Sequence, residues 1–214
     1  MRLSVVSLFI GTASWMSWSS GAPAQGRSSI LDLLVWGTHM NVDLSDYPAD
    51  VRTEAEAVIA RSKAYKSRRS QPTDSDGLST MVHHARVAYE RRLVAMARTP
   101  GAEAMALAYV TDLTPCYEWE GYSDCPAREA SFASDYQRTR PNAPFKELLP
   151  LLEAHRWLCA ADGFDYEKNA GGATSARARY RASLKVAAVS NDRLVRIGAT
   201  ELEGRGTCFR NSRE

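Results

Sequence analysis

The four cysteines constrain this chain more than any other feature. Cys116, Cys125, Cys159 and Cys208 form an even set, and the compartment decides whether such a set pairs. The N-terminus speaks to the compartment. Arg2 supplies a positive first region, and Leu3 to Ile10 are mostly apolar. The stretch through Trp18 stays free of charge, and Ala22-Pro23-Ala24 puts small residues where a signal peptidase reads them. Residues 1–24 therefore read as a secretory signal peptide cleaved before Gln25. Residues 25–47 read as an entry segment and 48–214 as a single helical domain. No cysteine follows the small residues near the cleavage site, so no lipid-attachment signal is read. The protein is expected to be exported, periplasmic or extracellular, with two disulfides. Four cysteines allow three pairings. The short spacing of Cys116 and Cys125 favours a local bridge, which leaves Cys159 with Cys208.

Removing 24 of the 214 residues leaves 190, long enough for a sizeable core. The formal charge of +2 falls to +1 when Arg2 is removed with the signal. That balance gives no support for a nucleic-acid-binding domain. No later apolar run approaches the ~20 residues of a membrane span, so no stable span is expected once the signal is cleaved.

Helical periodicity runs through the rest of the chain. Ile30 to Trp36 is the one apolar run of the entry segment, a short helix or strand that docks on the body. Ser45 and Asp46 can cap a helix with Pro48 in its first turn. Val51, Ala55, Val58 and Ile59 share one face of that helix, which is expected to end near Ser70. Helices then follow from Leu78 or Ser79 to Arg98, and from Ala102 to Leu113. Another runs to Arg138 after Pro126, with Asp124 as its cap. Another spans Phe145 to Ala161, with Gly163 as C-cap and Pro150 either in the early turns or at a kink. The last two run from Thr174 to Val189 and, behind Asn191-Asp192, from Arg193 to about Glu203, closed by Gly204 and Gly206. No segment alternates with period two. The fold class expected is all-α, with about seven amphipathic helices in antiparallel hairpins, arranged as a solenoid or an irregular bundle.

The last third resembles itself. Residues 125–163 and 172–209 each hold a helix, a turn, a second helix and a cysteine. Phe132 lies 48 residues before Tyr180, and Cys159 lies 49 before Cys208. The phrase Phe132-Ala-Ser-Asp-Tyr136, with the turn Pro141-Asn142-Ala143-Pro144, is similar to hairpins of tetratricopeptide-like repeats in bacterial envelope proteins. The Trp-Leu-Gly-Tyr signature of such repeats is absent, and the spacing exceeds the usual 34 residues. The resemblance implies stacked hairpins whose second helices lie side by side, where Cys159 and Cys208 meet.

Chemistry-bearing motifs are sparse. Gly-x-Ser-x-Gly and phosphate-cradling glycine loops are missing. So are Cys-x-x-Cys and His-x-x-x-His, which weighs against a zinc site. His83 and His84 adjoin on a helix and point about 100° apart. Glu90 is two turns from His83. His155 shares a face with Leu148, Leu151, Leu152 and Cys159, the pattern of a core histidine. Asp74-Ser75-Asp76-Gly77 fails the calcium-loop spacing, because Pro72 and His83 fall where ligands are needed. Asp162, Asp165 and Glu167 match no cation spacing. Arg61, Lys63, Lys66, Arg68 and Arg69 read as charges complementing a helix C-terminus.

The binding candidate is the Cys116–Cys125 loop, with Tyr117, Glu118, Trp119, Glu120, Tyr122 and Asp124. Aromatics beside acids suit a basic peptide, a cationic ligand or a sugar face. The plainer reading tucks the aromatics under the loop as a satellite core. The function expected is a non-catalytic module that binds another protein or an envelope component, with no catalytic residue, cofactor, metal or nucleic acid. The alternatives are a small exported hydrolase using His83 or His84, and a small-ligand carrier with a pocket between helices.

Overall fold

The computed structural model describes residues 29–36, 42–70, 77–116 and 121–208. Among them are eight helices and no strand. They are α1 (Ile30–Trp36), α2 (Ala49–Ala64), α3 (Gly77–Ala97), α4 (Ala102–Asp112), α5 (Asp124–Thr139), α6 (Leu149–Tyr166), α7 (Ala170–Ala187) and α8 (Arg193–Arg205). The main packing partners are α2 with α3, α3 with α4, α5 with α6, α6 with α7, and α1 with α8. No described helix is long and apolar enough to cross a membrane. The Cys116–Cys125 and Cys159–Cys208 disulfides are both formed.

The short apolar run of the entry segment is a helix, and it lies inside the protein. Ile30, Leu31, Leu34 and Val35 are fully buried against α8, α6 and α3. A buried seven-residue helix must satisfy its end groups without water. At the N-terminus, Asp32 accepts from the Ser29 amide (3.0 Å), Glu201 accepts from the Leu31 amide (2.7 Å), and the Tyr47 hydroxyl accepts from Ile30 (3.2 Å). At the C-terminus, Arg92 donates to the Leu34 carbonyl (2.9 Å) and Arg156 to that of Val35 (3.2 Å). Acids at one end and guanidiniums at the other also suit the helix dipole.

Around α1 lies an apolar core to which every helix contributes. Tyr109 is its aromatic centre, edge-on to Phe132, Tyr136 and Phe145 at 4.8–5.7 Å between centroids. A smaller cluster of Ala130, Trp157, Ala160, Ala161 and Ala176 seals α5, α6 and α7 together. Small residues let these helices approach closely.

Several boundaries differ from the sequence expectation. Helix α2 ends at Ala64, short of Ser70, because Tyr65 turns extended. The Tyr65 hydroxyl (2.5 Å) and Ser67 hydroxyl (2.6 Å) then tie the 65–70 segment to Glu90. Pro48 occupies the α2 cap position without a side-chain bond, and Ser45 bonds to Asp43. Ser123, and not Asp124, precedes α5, and Asp124 is its first helical residue. Helix α6 starts at Leu149 with Pro150 in the first turn, so there is no kink. It continues through Gly163 to Tyr166. Helix α7 begins at Ala170, earlier than Thr174, with Asn169 accepting from the Gly172 amide. Asp192 caps α8 as expected, and Gly206 ends it in the left-handed region at φ 64°.

Candidate functional site

Two places concentrate polar chemistry, one sealed and one exposed. The sealed one lies where α1, α3, α5 and α6 meet. Arg156 donates through Nε to Glu129, which also accepts from the Tyr89 hydroxyl (2.6 Å) and the Cys116 amide (2.5 Å). A second guanidinium nitrogen of Arg156 donates to His155 Nδ1 (2.7 Å), and His155 Nε2 faces the Cys208 carbonyl at 3.3 Å. Nδ1 therefore accepts and Nε2 donates, which fixes the neutral tautomer. The Trp36 ring stands edge-on to His155 (5.1 Å) and beneath the Arg156 guanidinium (4.7 Å). Arg92 lies over the Tyr89 ring at 4.1 Å.

Burial sets the proton affinities here. Desolvation, with the Arg156 cation beside it, holds His155 well below the ordinary histidine range. Desolvation pushes the Tyr89 hydroxyl up to about 12 and pulls Arg92 down to about 10. Burial also opposes the Arg156 cation, but Tyr89 and Glu129 outweigh it, and its affinity rises. These side chains hold α1, the Cys116 amide and the Cys208 carbonyl in place. His155 is thus the core histidine that its helix face implied.

The exposed place is the end of the molecule that carries the Cys116–Cys125 disulfide. Tyr117, Glu118, Trp119 and Glu120 lie outside the described residues. Both flanks are described and firmly held. Cys116 is bridged to Cys125, and its amide is bound by Glu129. Ser123 donates its amide (2.8 Å) and its hydroxyl (2.8 and 2.9 Å) to Glu167. Gly163 lies directly beneath, where a Cβ would meet the Ser123 nitrogen at 2.6 Å. The expected C-cap role of Gly163 is thereby corrected. The glycine lets the loop backbone press onto the middle of the last turns of α6, and the helix carries on past it to present Glu167.

On this held backbone Tyr122 is 48% exposed and Tyr166 is 69% exposed. Their rings meet edge to face at 5.9 Å. Asp124 is exposed beside them, 3.6 Å from Arg128 one turn on.

Other sequence candidates fall elsewhere. His83 is buried and its proton affinity is lowered, first by burial and then by Arg69 and His84. His84 faces outward, with the two rings 5.9 Å apart. Glu90 is not a partner for His83 chemistry, since its two oxygens accept from Tyr65 and Ser67. Asp162, Asp165 and Glu167 do not gather a cation. They serve the Cys208 amide (2.8 Å), Arg177 and Ser123 respectively. In the basic cluster, Arg61 donates to the Ala95 carbonyl and Arg69 to Thr111. A separate cavity of about 330 Å³ lies between α2, α3 and the start of α8, over Phe145 and Leu148, with Arg98 bridging Glu54 (2.7 Å) and Asp192 (3.2 Å) at its rim.

Glu129, Arg156 and Arg92 were missed by sequence reasoning, and Glu167 was weighed there only as a cation ligand. A signal existed for two of them. Glu129 shares a helix stripe with Ala133 and Tyr136, and Arg156 sits inside a run that is otherwise apolar. A charge on an apolar stripe implies a buried partner. No family model, curated protein or solved structure matches the chain.

Proposed function

We propose that the chain is an exported helical protein, periplasmic or extracellular, that binds another protein or an envelope component without catalysis. The contact face is the disulfide-closed loop, with Tyr117, Glu118, Trp119, Glu120, Tyr122 and Asp124, extended by Tyr166. The observation that carries this reading is the Tyr122–Tyr166 pair, two exposed aromatic rings on a backbone clamped by Glu167 and a disulfide. Rigid aromatics lose little conformational entropy on binding and are over-represented among residues that dominate interface energies. The acidic residues of the loop suit a basic partner surface. Export is supported by the signal-like layout of residues 1–24 and by two disulfides. The 125–163 and 172–209 segments are read as tetratricopeptide-like hairpins that scaffold the face.

The test is partner capture by the full chain and by Tyr122→Ala/Tyr166→Ala. Loss of one discrete partner in the double variant, with the melting temperature unchanged, supports the face. Undiminished capture removes it. A second reading, a small-ligand carrier, is favoured by the cavity over Phe145, and native mass spectrometry reads it directly as retained ligand mass.

A further inference from the structure

Three of the five cations that the sequence assigns to a helix C-terminus lie beyond the helix. Because α2 ends at Ala64, Lys66, Arg68 and Arg69 belong to the segment 65–70. That segment is tied to the body through every second residue, as a strand would be. Tyr65 and Ser67 donate their hydroxyls to the two oxygens of Glu90 (2.5 and 2.6 Å), which is fully buried. Arg69 donates its guanidinium to Thr111 (2.9 Å) and its amide to the Ser67 hydroxyl (3.2 Å). The residues between these anchors, Lys66, Arg68 and Ser70, are exposed. Side chains two residues apart on an extended chain stand roughly 6.6 Å apart on one face. Lys66 and Arg68 thus form a basic row on a backbone that is already fixed.

The fold makes little use of that row. Among the described residues Arg68 meets one carboxylate, Glu103 at 4.0 Å, and the two side chains are 83% and 51% exposed. An ion pair so exposed adds little to stability. Among the described residues nothing accepts from the Lys66 or Arg68 amide. Amides two apart on an extended chain point to the same side, so this is an open hydrogen-bonding edge.

We propose that the segment 65–70 is a docking rib for an acidic protein segment, which lies beside it as an extended strand and sets carboxylates against Lys66 and Arg68. An extended partner repeats its side chains at the same spacing, so acids two residues apart meet both cations. Main-chain pairing along the open edge supplies affinity, and the charges select the partner. The rib is anchored to Glu90 and Thr111 before the partner arrives, so docking orders little of this chain. A membrane surface fits less well. Lipid-binding basic segments carry about four to eight cations, and here the exposed ones are Lys63, Lys66 and Arg68. The rib is independent of the face at Tyr122 and Tyr166, and its charge is opposite.

The experiment measures fluorescence anisotropy of a labelled peptide, Thr-Glu-Thr-Glu-Thr-Glu-Thr, on the full chain with its disulfides intact. The peptide is expected to bind at low salt and to weaken as salt rises. Lys66→Gln/Arg68→Gln, which changes only exposed side chains, should weaken binding at least tenfold with the melting temperature unchanged. A peptide of the same composition with its three acids in one block should bind at least fivefold more weakly. N-methylation of every second peptide amide should abolish binding in one register and be tolerated in the other. The proposal is overturned if the alternating peptide does not bind, or binds the double variant equally well. Equal binding of the blocked peptide, or equal tolerance of both N-methylated registers, overturns the strand-like docking. Sedimentation of the parent chain with phosphatidylglycerol vesicles, lost in the double variant, without peptide binding, would assign the rib to a membrane instead.

Discussion

Gly163 lies so close under Ser123 that a methyl group on the glycine would stand 2.6 Å from the Ser123 amide nitrogen. Backbone rests on backbone here, and the contact fixes the flank of the loop that carries Tyr122. The obstructing atoms are main-chain, so no side chain can swing aside. Gly163→Ala is expected to cost about 1–3 kcal/mol by overpacking, read as a shift in urea midpoint. It should also raise hydrogen exchange at the Ser123 amide, which Glu167 now holds. An alanine variant with unchanged exchange at that amide would show that the contact does not secure the loop.

The buried Glu129–Arg156 pair makes a second expectation. Its two side chains are 1% and 5% exposed. Glu129→Gln leaves the buried Arg156 guanidinium without its carboxylate partner. Breaking a buried pair by removing one partner typically costs about 3–5 kcal/mol. A chemical denaturation series should place Glu129→Gln in that range, far beyond Arg138→Gln, which breaks the exposed Arg138–Asp135 pair and is expected to cost about 0–1 kcal/mol.

The two disulfides should differ in their contributions. Cys116 and Cys125 are separated by 9 residues, and Cys159 and Cys208 by 49. Loop-closure entropy then gives about 3 kcal/mol for the first and about 4 kcal/mol for the second. Paired Cys→Ser variants, compared by guanidinium unfolding in the absence of metal, should rank in that order. The reverse ranking would mean that local strain or residual structure outweighs chain entropy.

Stability should fall in mild acid. The folded chain keeps His155 neutral, with its pKa well below the ordinary 6.5, because burial and Arg156 disfavour the cation. The unfolded chain accepts a proton near that value. Between the two, the unfolded state binds more protons, so stability is complete above about pH 6.5 and declines as pH drops toward the folded pKa. The slope from one such group is at most about 1.4 kcal/mol per pH unit. His83 is lowered as well, mainly by burial, and adds a slope of the same sign. Urea midpoints measured from pH 8 to pH 5 should be flat and then decline, and His155→Gln should remove one component of the decline. Equal pH slopes for the variant and the parent would contradict the assignment to His155.

The helical class and the Cys116–Cys125 pairing were legible because they rest on local signals, periodicity, caps and spacing, and Cys159–Cys208 followed by elimination. Asp192 before Arg193 read correctly in isolation, whereas the short run at Ile30 read as a docking segment, helix or strand. What failed depended on distant partners. Nothing near Ser70 shows that Tyr65 and Ser67 leave the helix to reach Glu90. Nothing near Gly163 shows that Ser123 lies on top of it, so a glycine needed for close approach reads as a helix stop. At the loop, the sequence marked the aromatic and acidic residues. It did not indicate Tyr166, and it weighed Glu167 only as a cation ligand; both reach the loop because α6 continues past the glycine. Arg92 and Arg156 were not singled out, because the carbonyls they bind lie at the buried end of α1, far away in sequence.

Site-specific photocrosslinking in the cells that produce the protein reads the binding face where it works. A benzophenone residue replaces Tyr122 in one version of the full chain and the exposed Glu56 on α2 in another. A discrete adduct is expected from position 122, weakened by Tyr166→Ala and by Glu167→Gln, and none from position 56. No adduct at 122, or the same adduct from both positions, would contradict a binding face at the disulfide loop.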